Sequence, residues 1–314
     1  MKKTMLITGA AGFLGRNLCH KYKDEYNVIG VSRNLDNLQQ LARDLRTIEV
    51  YPCDVSNLHE LEKIFIHFKP SVVIHAAANK YIDLAEKFPS ECANSNVIGS
   101  KNVLDLSIKY NVEKVIGVST DKASPPVKSM YGLSKAIMEK LFTLSSNQNT
   151  QVACVRFGNI LWSTGSVLPI WHKAYRNKQK LKFTGNDMTR FFFSVDEAVK
   201  VVDYALKNIE ITQGKILSYR MKAGKIKDLL EAFCEVYNTE YEAEDSRPGE
   251  RMYESLISQT EIEFSELLDD KYILYHINSS QKLENHLSYD FCSENNELYT
   301  FEELKKFVDI REIV

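Results

Sequence analysis

The octapeptide Thr8-Gly9-Ala10-Ala11-Gly12-Phe13-Leu14-Gly15 constrains this chain more than any other stretch. It joins the apolar run Met5-Leu6-Ile7 to a pattern of helical period through Phe13, Leu14, Leu18 and Cys19. Gly9 permits a tight turn, Gly12 lets the backbone approach a pyrophosphate, and Gly15 lets the helix pack closely on the turn. The helix N-terminus then presents unpaired amides to the phosphates. Glycines so spaced elsewhere would be turns only; between a strand and a helix they predict a dinucleotide site formed by Thr8, Gly9, Gly12, Phe13, Leu14 and Gly15.

The same alternation continues. Apolar runs recur at Val28-Ile29-Gly30-Val31, Ile48-Glu49-Val50-Tyr51, Val72-Val73-Ile74, Val115-Ile116-Gly117-Val118 and Val152-Ala153-Cys154-Val155. Helical stretches lie between them near 35–45, 58–68, 90–110 and 132–146. Runs apolar on both faces, alternating with helices, predict an α/β fold with a doubly wound parallel sheet. After Gly158 the regularity weakens, with helical patterns near 168–177, 196–207, from 226 and at 300–308. The expected division is a dinucleotide-binding domain over 1–165, with 190–210 returning to it. A smaller substrate-binding lobe takes 166–189 and 211–290, and 291–314 is a C-terminal segment. The stretch from Ser279 to Glu297, rich in Asn, Ser and Glu, reads as loop or a mobile flap.

Composition narrows the partners. The 40 Lys and Arg against 42 Asp and Glu give a net charge of -2, with nothing to favour nucleic acid. The six cysteines are far apart and form no CxxC, so reduced thiols are expected, and no metal site. No segment reaches the ~20 apolar residues of a membrane span, and the expectation is a cytoplasmic protein without membrane insertion.

The second strand ends in Ser32-Arg33-Asn34, where an NAD site would carry Asp or Glu for the ribose hydroxyls. A cation beside a hydroxyl suits the 2′-phosphate of NADP, which is expected over NAD; the alternative is that Arg33 is a solvated surface residue. Asp54 can accept from adenine while Val55 covers the ring, or Asp54 is a helix cap. Ala76, Ala77 and Ala78 either let the sheet edge pass close to the cofactor or pack tightly for its own sake.

Tyr131 and Lys135 are four residues apart at a helix start and share one face. A neighbouring ammonium stabilises phenolate, making a base able to deprotonate an alcohol during hydride transfer. Thr120 ends the fifth strand, at the sheet edge where ligands bind. Asp121 and Lys122 follow it. Alcohol oxidation has no use for them, so they read as a second acid–base pair, or else as an ordinary loop ion pair.

These motifs resemble an extended short-chain dehydrogenase/reductase, most closely the UDP-N-acetylglucosamine 4,6-dehydratase branch of polysaccharide and flagellin-glycan synthesis. The matching stretches are Thr8 to Gly15; His75-Ala76-Ala77-Ala78 with Lys80; Asn96-Val97-Ile98-Gly99; Ser119-Thr120-Asp121-Lys122-Ala123; and Tyr131-Gly132 with Lys135. They continue through Arg156-Phe157-Gly158-Asn159, Gly165-Ser166-Val167-Leu168-Pro169, Met188-Thr189-Arg190-Phe191 and Arg247-Pro248-Gly249-Glu250. The resemblance covers about 1–255. It implies a Rossmann fold in which Tyr131 deprotonates the C4 hydroxyl, with Thr120 orienting the same oxygen. Lys135 holds the nicotinamide ribose, Lys122 removes the C5 proton and Asp121 protonates the leaving C6 hydroxyl. The division between Lys122 and Asp121, and retention or inversion at C5, stay open. On the substrate side it implies Lys80, Asn159, Val167, Arg190, Arg247 and Glu250, the two arginines on the diphosphate; a surface charge is the plain alternative for Arg247. It also implies a UDP-sugar substrate and a homo-oligomer, dimer or hexamer.

Two departures stand out. The interval from Lys122 to Tyr131 is one residue longer than the family pattern, and Met130 competes with Tyr131 for the catalytic register; the step to Lys135 favours Tyr131. Trp162 replaces a smaller or basic residue and reads as a sugar platform or as core. A UDP-sugar 4-epimerase, a dehydratase for another nucleotide sugar and a non-catalytic dinucleotide-binding protein are the competing readings.

Overall fold

A computed structural model describes residues 2–147, 149–185, 187–244 and 251–309. β1 (Thr4–Thr8), α1 (Phe13–Tyr22), β2 (Asn27–Ser32), α2 (Leu35–Asp44), β3 (Glu49–Pro52), α3 (Leu58–Phe68) and β4 (Val72–His75) alternate as the sequence predicts. The next crossover is longer. It runs through α4 (Ile82–Lys87), α5 (Pro89–Ala93), a π-helical turn at Asn94–Ile98 and α6 (Gly99–Lys109) to β5 (Lys114–Thr120). α7 (Met130–Leu144) and β6 (Gln151–Phe157) complete the first half. Next come β7 (Asn159–Ile160), α8 (Val167–Arg176), β8 (Leu181–Thr184), β9 (Thr189–Phe193), α9 (Val195–Lys207), α10 (Ile209–Thr212) and β10 (Ile216–Tyr219). The chain ends with β11 (Ala223–Lys225), α11 (Ile226–Tyr237), β12 (Tyr241–Glu244), β13 (Ser255–Ile257), β14 (Ser265–Leu268), β15 (Tyr272–Tyr275), β16 (Phe291–Cys292) and α12 (Phe301–Val308).

Nine strands form the main sheet in the order β3-β2-β1-β4-β5-β6-β10-β15-β14. Pairing is parallel from β3 to β10 and antiparallel for β15 and β14. Alternate side chains of a strand face opposite ways. Met5 and Ile7 therefore pack with Leu18 and Tyr22 of α1 and Val201 and Val202 of α9. Leu6 and Val73 pack with Phe65 of α3, Val103 of α6 and Phe142 of α7 on the other face. Helices on both faces require strands apolar on both sides, and that is why these runs lack polar alternation. Strand order reverses between β1 and β4, so a crevice opens at their carboxyl ends.

The lobe has its own core, built on Leu168 and Trp171 of α8, Leu229 and Phe233 of α11, and Leu304 of α12. One expectation is corrected, and one of two alternatives is decided. Residues 211–290 do not all join the lobe, because β10, β15 and β14 extend the main sheet. Hydrophobic burial there is strong, with Ile216, Leu217, Ile273 and Leu274 no more than 1% exposed. The Ser279–Glu297 stretch is largely irregular but is anchored: Leu287 and Phe291 are buried in the main core, and the Ser293 hydroxyl bonds Thr189.

Candidate active site

The turn after β1 is built on glycine. Gly9 has φ +71°, and a Cβ there would meet the Ala76–Ala77 backbone at 2.7 Å. A Cβ on Gly15 would lie 2.1 Å from the Gly9 carbonyl oxygen. Gly12 caps α1 without a side-chain hydrogen bond, leaving its first-turn amides to a ligand. Gly9, Gly12, Phe13, Leu14 and Gly15 line a cavity of about 370 Å³ together with Ser32, Arg33, Asp54, Val55, Ala76, Ala77 and Ala78. Gly9, Gly12 and Gly15 carry no side chain there and Ala76, Ala77 and Ala78 only a methyl, which leaves room at the turn for phosphate, so the residues present fit a dinucleotide.

Thr8 and Asn34 are not in that wall. Thr8 is fully buried, its hydroxyl 2.7 Å from His75 Nδ1, and His75 Nε2 lies 2.9 Å from Ser100 Oγ. Ser100 donates to the Asn96 carbonyl, so Nε2 carries the proton and Nδ1 accepts from Thr8. Burial holds the His75 ring down at about 3, and the ring is neutral at ordinary pH. Asn34 caps α2 by accepting from the Asn37 amide. Thr8 thus sets the strand end and Asn34 the helix start; neither reaches the cavity.

At the carboxyl end of β5, Thr120, Lys122, Tyr131 and Lys135 converge on the same cavity. Tyr131 faces it, whereas Met130 does not and donates its amide to Glu86. Gly132 lets α7 start against the Asp121–Lys122 turn, since a Cβ there would meet the Lys122 carbonyl oxygen at 2.3 Å. Burial pushes the Tyr131 hydroxyl up to about 12, with Lys122 and the Thr120 hydroxyl pulling the other way. Burial lowers the Lys135 ammonium to about 8. The sequence expects Lys135 to supply the cation beside the phenol; in the structure Lys135 Nζ lies 3.0 Å from Met138 Sδ, and the Lys122 charge also favours the phenolate.

Lys122 Nζ bonds Asp121 Oδ1 at 2.9 Å and pairs with Glu254 Oε1 at 3.4 Å. Burial alone would lower the Lys122 ammonium, but the two carboxylates outweigh it and raise it. Asp121 is fully buried and is not in the wall of this cavity; its Oδ1 also accepts from Thr120, and its Oδ2 has no hydrogen-bond partner among the described residues. That oxygen faces the Gly158 backbone, where a Cβ would come within 3.3 Å of it.

A second cavity, of about 460 Å³, opens between the sheet edge and the lobe. Lys80, Lys122 and Asn159 border both cavities, and Val167, Arg190 and Glu254 line the second. The Arg190 guanidinium donates to the carbonyls of Thr189, Arg251 and Met252, so it fastens the 251–252 backbone beside the cavity. Arg247 and Glu250 lie outside the described residues. Trp162 faces away from both cavities and donates to the Phe307 carbonyl, joining the lobe core to α12.

Tyr81, Glu139 and Glu261 escape a reading of the sequence, whereas Asn96 and Arg156 stand in its matching motifs. Tyr81 borders both cavities and packs on Gly165, where a Cβ would sit 2.7 Å from its ring. Asn96, at the π-helical turn, clamps the Asn79 backbone through both amide atoms and donates to Ser134 at 2.9 Å. Beneath the site, buried Arg156 bonds Glu139 of α7 at 2.8 and 2.7 Å and both oxygens of Glu261 at 3.0 Å. Glu261 also accepts from Ser124 at 2.7 Å, so the turn carrying Lys122 and the helix carrying Tyr131 share one charged anchor. Their sequence separations, 105 and 137 residues, leave no local signal. Among the described residues no group of His, Cys, Asp or Glu could hold a metal, and none of the helices is long and apolar enough to cross a membrane.

Comparison with known proteins locates this architecture. Residues 5–276 match the family described as "Polysaccharide biosynthesis protein". A UDP-glucose 4-epimerase of Rickettsia rickettsii is 30% identical over 98% of this chain and 95% of its own. An uncharacterized membrane protein of Methanocaldococcus jannaschii is 33% identical with the same coverage. The X-ray structure of Pen from Bacillus thuringiensis superposes with a TM-score of 0.92 at 25% identity, covering 100% of this chain and 98% of that one.

The NADP expectation is corrected here. A Thermus thermophilus UDP-glucose 4-epimerase, with TM-score 0.69, 19% identity and coverage of 79% and 88%, was solved with NAD. So was a dTDP-glucose 4,6-dehydratase from Bacillus anthracis, with TM-score 0.67, 19% identity and coverage of 78% and 85%. The local geometry offers a reason. Arg33 lies 3.7 Å from Asp54, whose carboxyl is held low by the Ser56 amide and hydroxyl despite partial burial. A carboxylate at that edge opposes an added phosphate. The match over most of its length and the fold together make this chain a member of the polysaccharide biosynthesis protein family, among the NAD(P)-dependent sugar-nucleotide epimerases and dehydratases of the short-chain dehydrogenase/reductase type.

Proposed function

We propose that this protein dehydrates UDP-N-acetylglucosamine to a 4-keto-6-deoxy sugar, with NAD as the dinucleotide. The observation that carries this reading is Lys122 at the border of the two cavities, paired with buried carboxylates. A 4-epimerase needs only the Thr120, Tyr131 and Lys135 set. A proton-handling ammonium at the same sugar is what elimination of water requires in addition. NAD, when bound, takes up and returns one hydride. Tyr131 accepts the C4 hydroxyl proton as its phenolate, which the nearby Lys122 cation and the Thr120 hydroxyl stabilise. Lys135 is the group for the ribose hydroxyls, and Asn159 and Lys80 are the substrate-side polar groups. Exposed Leu133 and Ile137, one turn apart on α7, with Ile98 nearby in sequence to α6, fit a homo-oligomer.

A 4-epimerase is the second reading, favoured by the Rickettsia relatives named UDP-glucose 4-epimerase. Incubation with UDP-N-acetylglucosamine and NAD in heavy water, followed by mass spectrometry and proton NMR, separates the two. Dehydration removes one water and leaves solvent deuterium at C5; epimerisation leaves the mass unchanged and inverts C4. Tyr131→Phe is expected to lower either turnover by about 10²–10⁴-fold. Epimerised product without water loss refutes the dehydratase reading.

A further inference from the structure

We infer that the Ser119 hydroxyl is a ligand for the nicotinamide ribose, forming with Lys135 a clamp on its two hydroxyls. A 4-epimerase would use the same clamp, so it holds whichever sugar reaction follows. Ser119 is 4% exposed, and its Oγ has no hydrogen-bond partner among the described residues. Leaving a buried hydroxyl unpaired is costly, and such a group in a folded protein calls for a physical reason. Among the described residues, Ser119 alone combines a buried unpaired side-chain atom with a place in the wall of the dinucleotide cavity.

The strand decides which way it points. Ile116 and Val118 of β5 pack into the core under α1 and α9. Val115 and Gly117 face α7: Val115 shares a core with Phe142, and a Cβ on Gly117 would meet the Phe142 ring at 2.7 Å. Alternation puts Ser119 on this second face. Lys135 comes to the same face from α7, where its ammonium interacts with Cys154, the cross-strand neighbour of Gly117. Both residues border the cavity, one from the sheet and one from the helix. Their chemistry is complementary. An ammonium only donates, whereas each ribose hydroxyl both donates and accepts. Lys135 can serve the ribose oxygens but not their protons, and the Ser119 oxygen supplies the acceptor.

The test is calorimetry on the full-length protein and on Ser119→Ala with NAD, ADP-ribose and ADP. The first two ligands carry the second ribose; ADP does not. Loss of one hydrogen bond should weaken NAD and ADP-ribose alike by about 3–10-fold and leave ADP unchanged. Without ligand, the variant should unfold at the same urea concentration or a higher one, because the change removes an unpaired buried hydroxyl. A hydroxyl that only supports the strand predicts the reverse: a lower urea midpoint and equal weakening of all three ligands. That result, or an unchanged NAD affinity, overturns the assignment. Weakening of NAD alone moves the contact to the nicotinamide ring and overturns the ribose clamp. A wild type that binds none of the three overturns the clamp together with the dinucleotide reading of the cavity.

Discussion

His75 makes stability depend on pH in a way that can be isolated. Its ring is fully buried between Thr8 and Ser100, and its value falls from 6.5 to about 3 because burial disfavours the charged form, with Lys135 adding to it. Protonation is therefore easier in the unfolded chain. Above pH 6.5 both states are neutral at this ring and full stability is present. As pH falls from 6.5 toward 3 the unfolded state takes the proton first, and stability is lost. Between pH 7.5 and pH 5 the loss from this one group is about 2 kcal/mol, a sizeable part of the ~5–15 kcal/mol typical of folded proteins. Carboxylates also titrate at the lower end, so the comparison is with His75→Gln, which keeps a donor and an acceptor but does not titrate. Urea unfolding at pH 7.5, 6.5, 5.8 and 5.0 gives the unfolding free energy of each protein. The wild type should lose about 2 kcal/mol more than the variant across that span. Parallel curves would refute the buried neutral ring.

Arg156→Met should destabilise by about 3–5 kcal/mol, because it leaves Glu139 and Glu261 buried without their cation. The urea midpoint measures it, and a loss below ~1 kcal/mol contradicts a buried triad. Gly15→Ala places a methyl 2.1 Å from the Gly9 carbonyl and should weaken NAD binding by calorimetry about 10-fold or more; unchanged affinity would mean that the turn relaxes freely.

What could be read from the sequence follows from range. The βα alternation is local, and each apolar run from Met5 to Val155 is a strand of the main sheet; for all but the exposed edge strand β3, burial on both faces leaves a run of apolar residues behind. The phosphate turn and the Tyr131 register are equally local, resting on glycine geometry and a four-residue helical step. β14 and β15 escape a reading built on βα alternation because they pair antiparallel through the short Asp269-Asp270-Lys271 connection, with no helix between them. Arg33 misled because a cation after β2 looks the same in sequence whether it faces a phosphate or Asp54. Glu254 and Glu261 could not be found, since nothing near them shows which cation they meet.

The anchor under the site also orders events in time. Glu139 and Arg156 are made 17 residues apart, whereas Glu261 comes 105 residues after Arg156. At ~5–20 residues per second, roughly 5–20 seconds of synthesis separate the cation from its second counter-charge. A nascent chain that has not reached Glu254 already contains the whole phosphate turn, Tyr131 and Lys135, but none of the second-half carboxylates that hold Lys122 and Arg156.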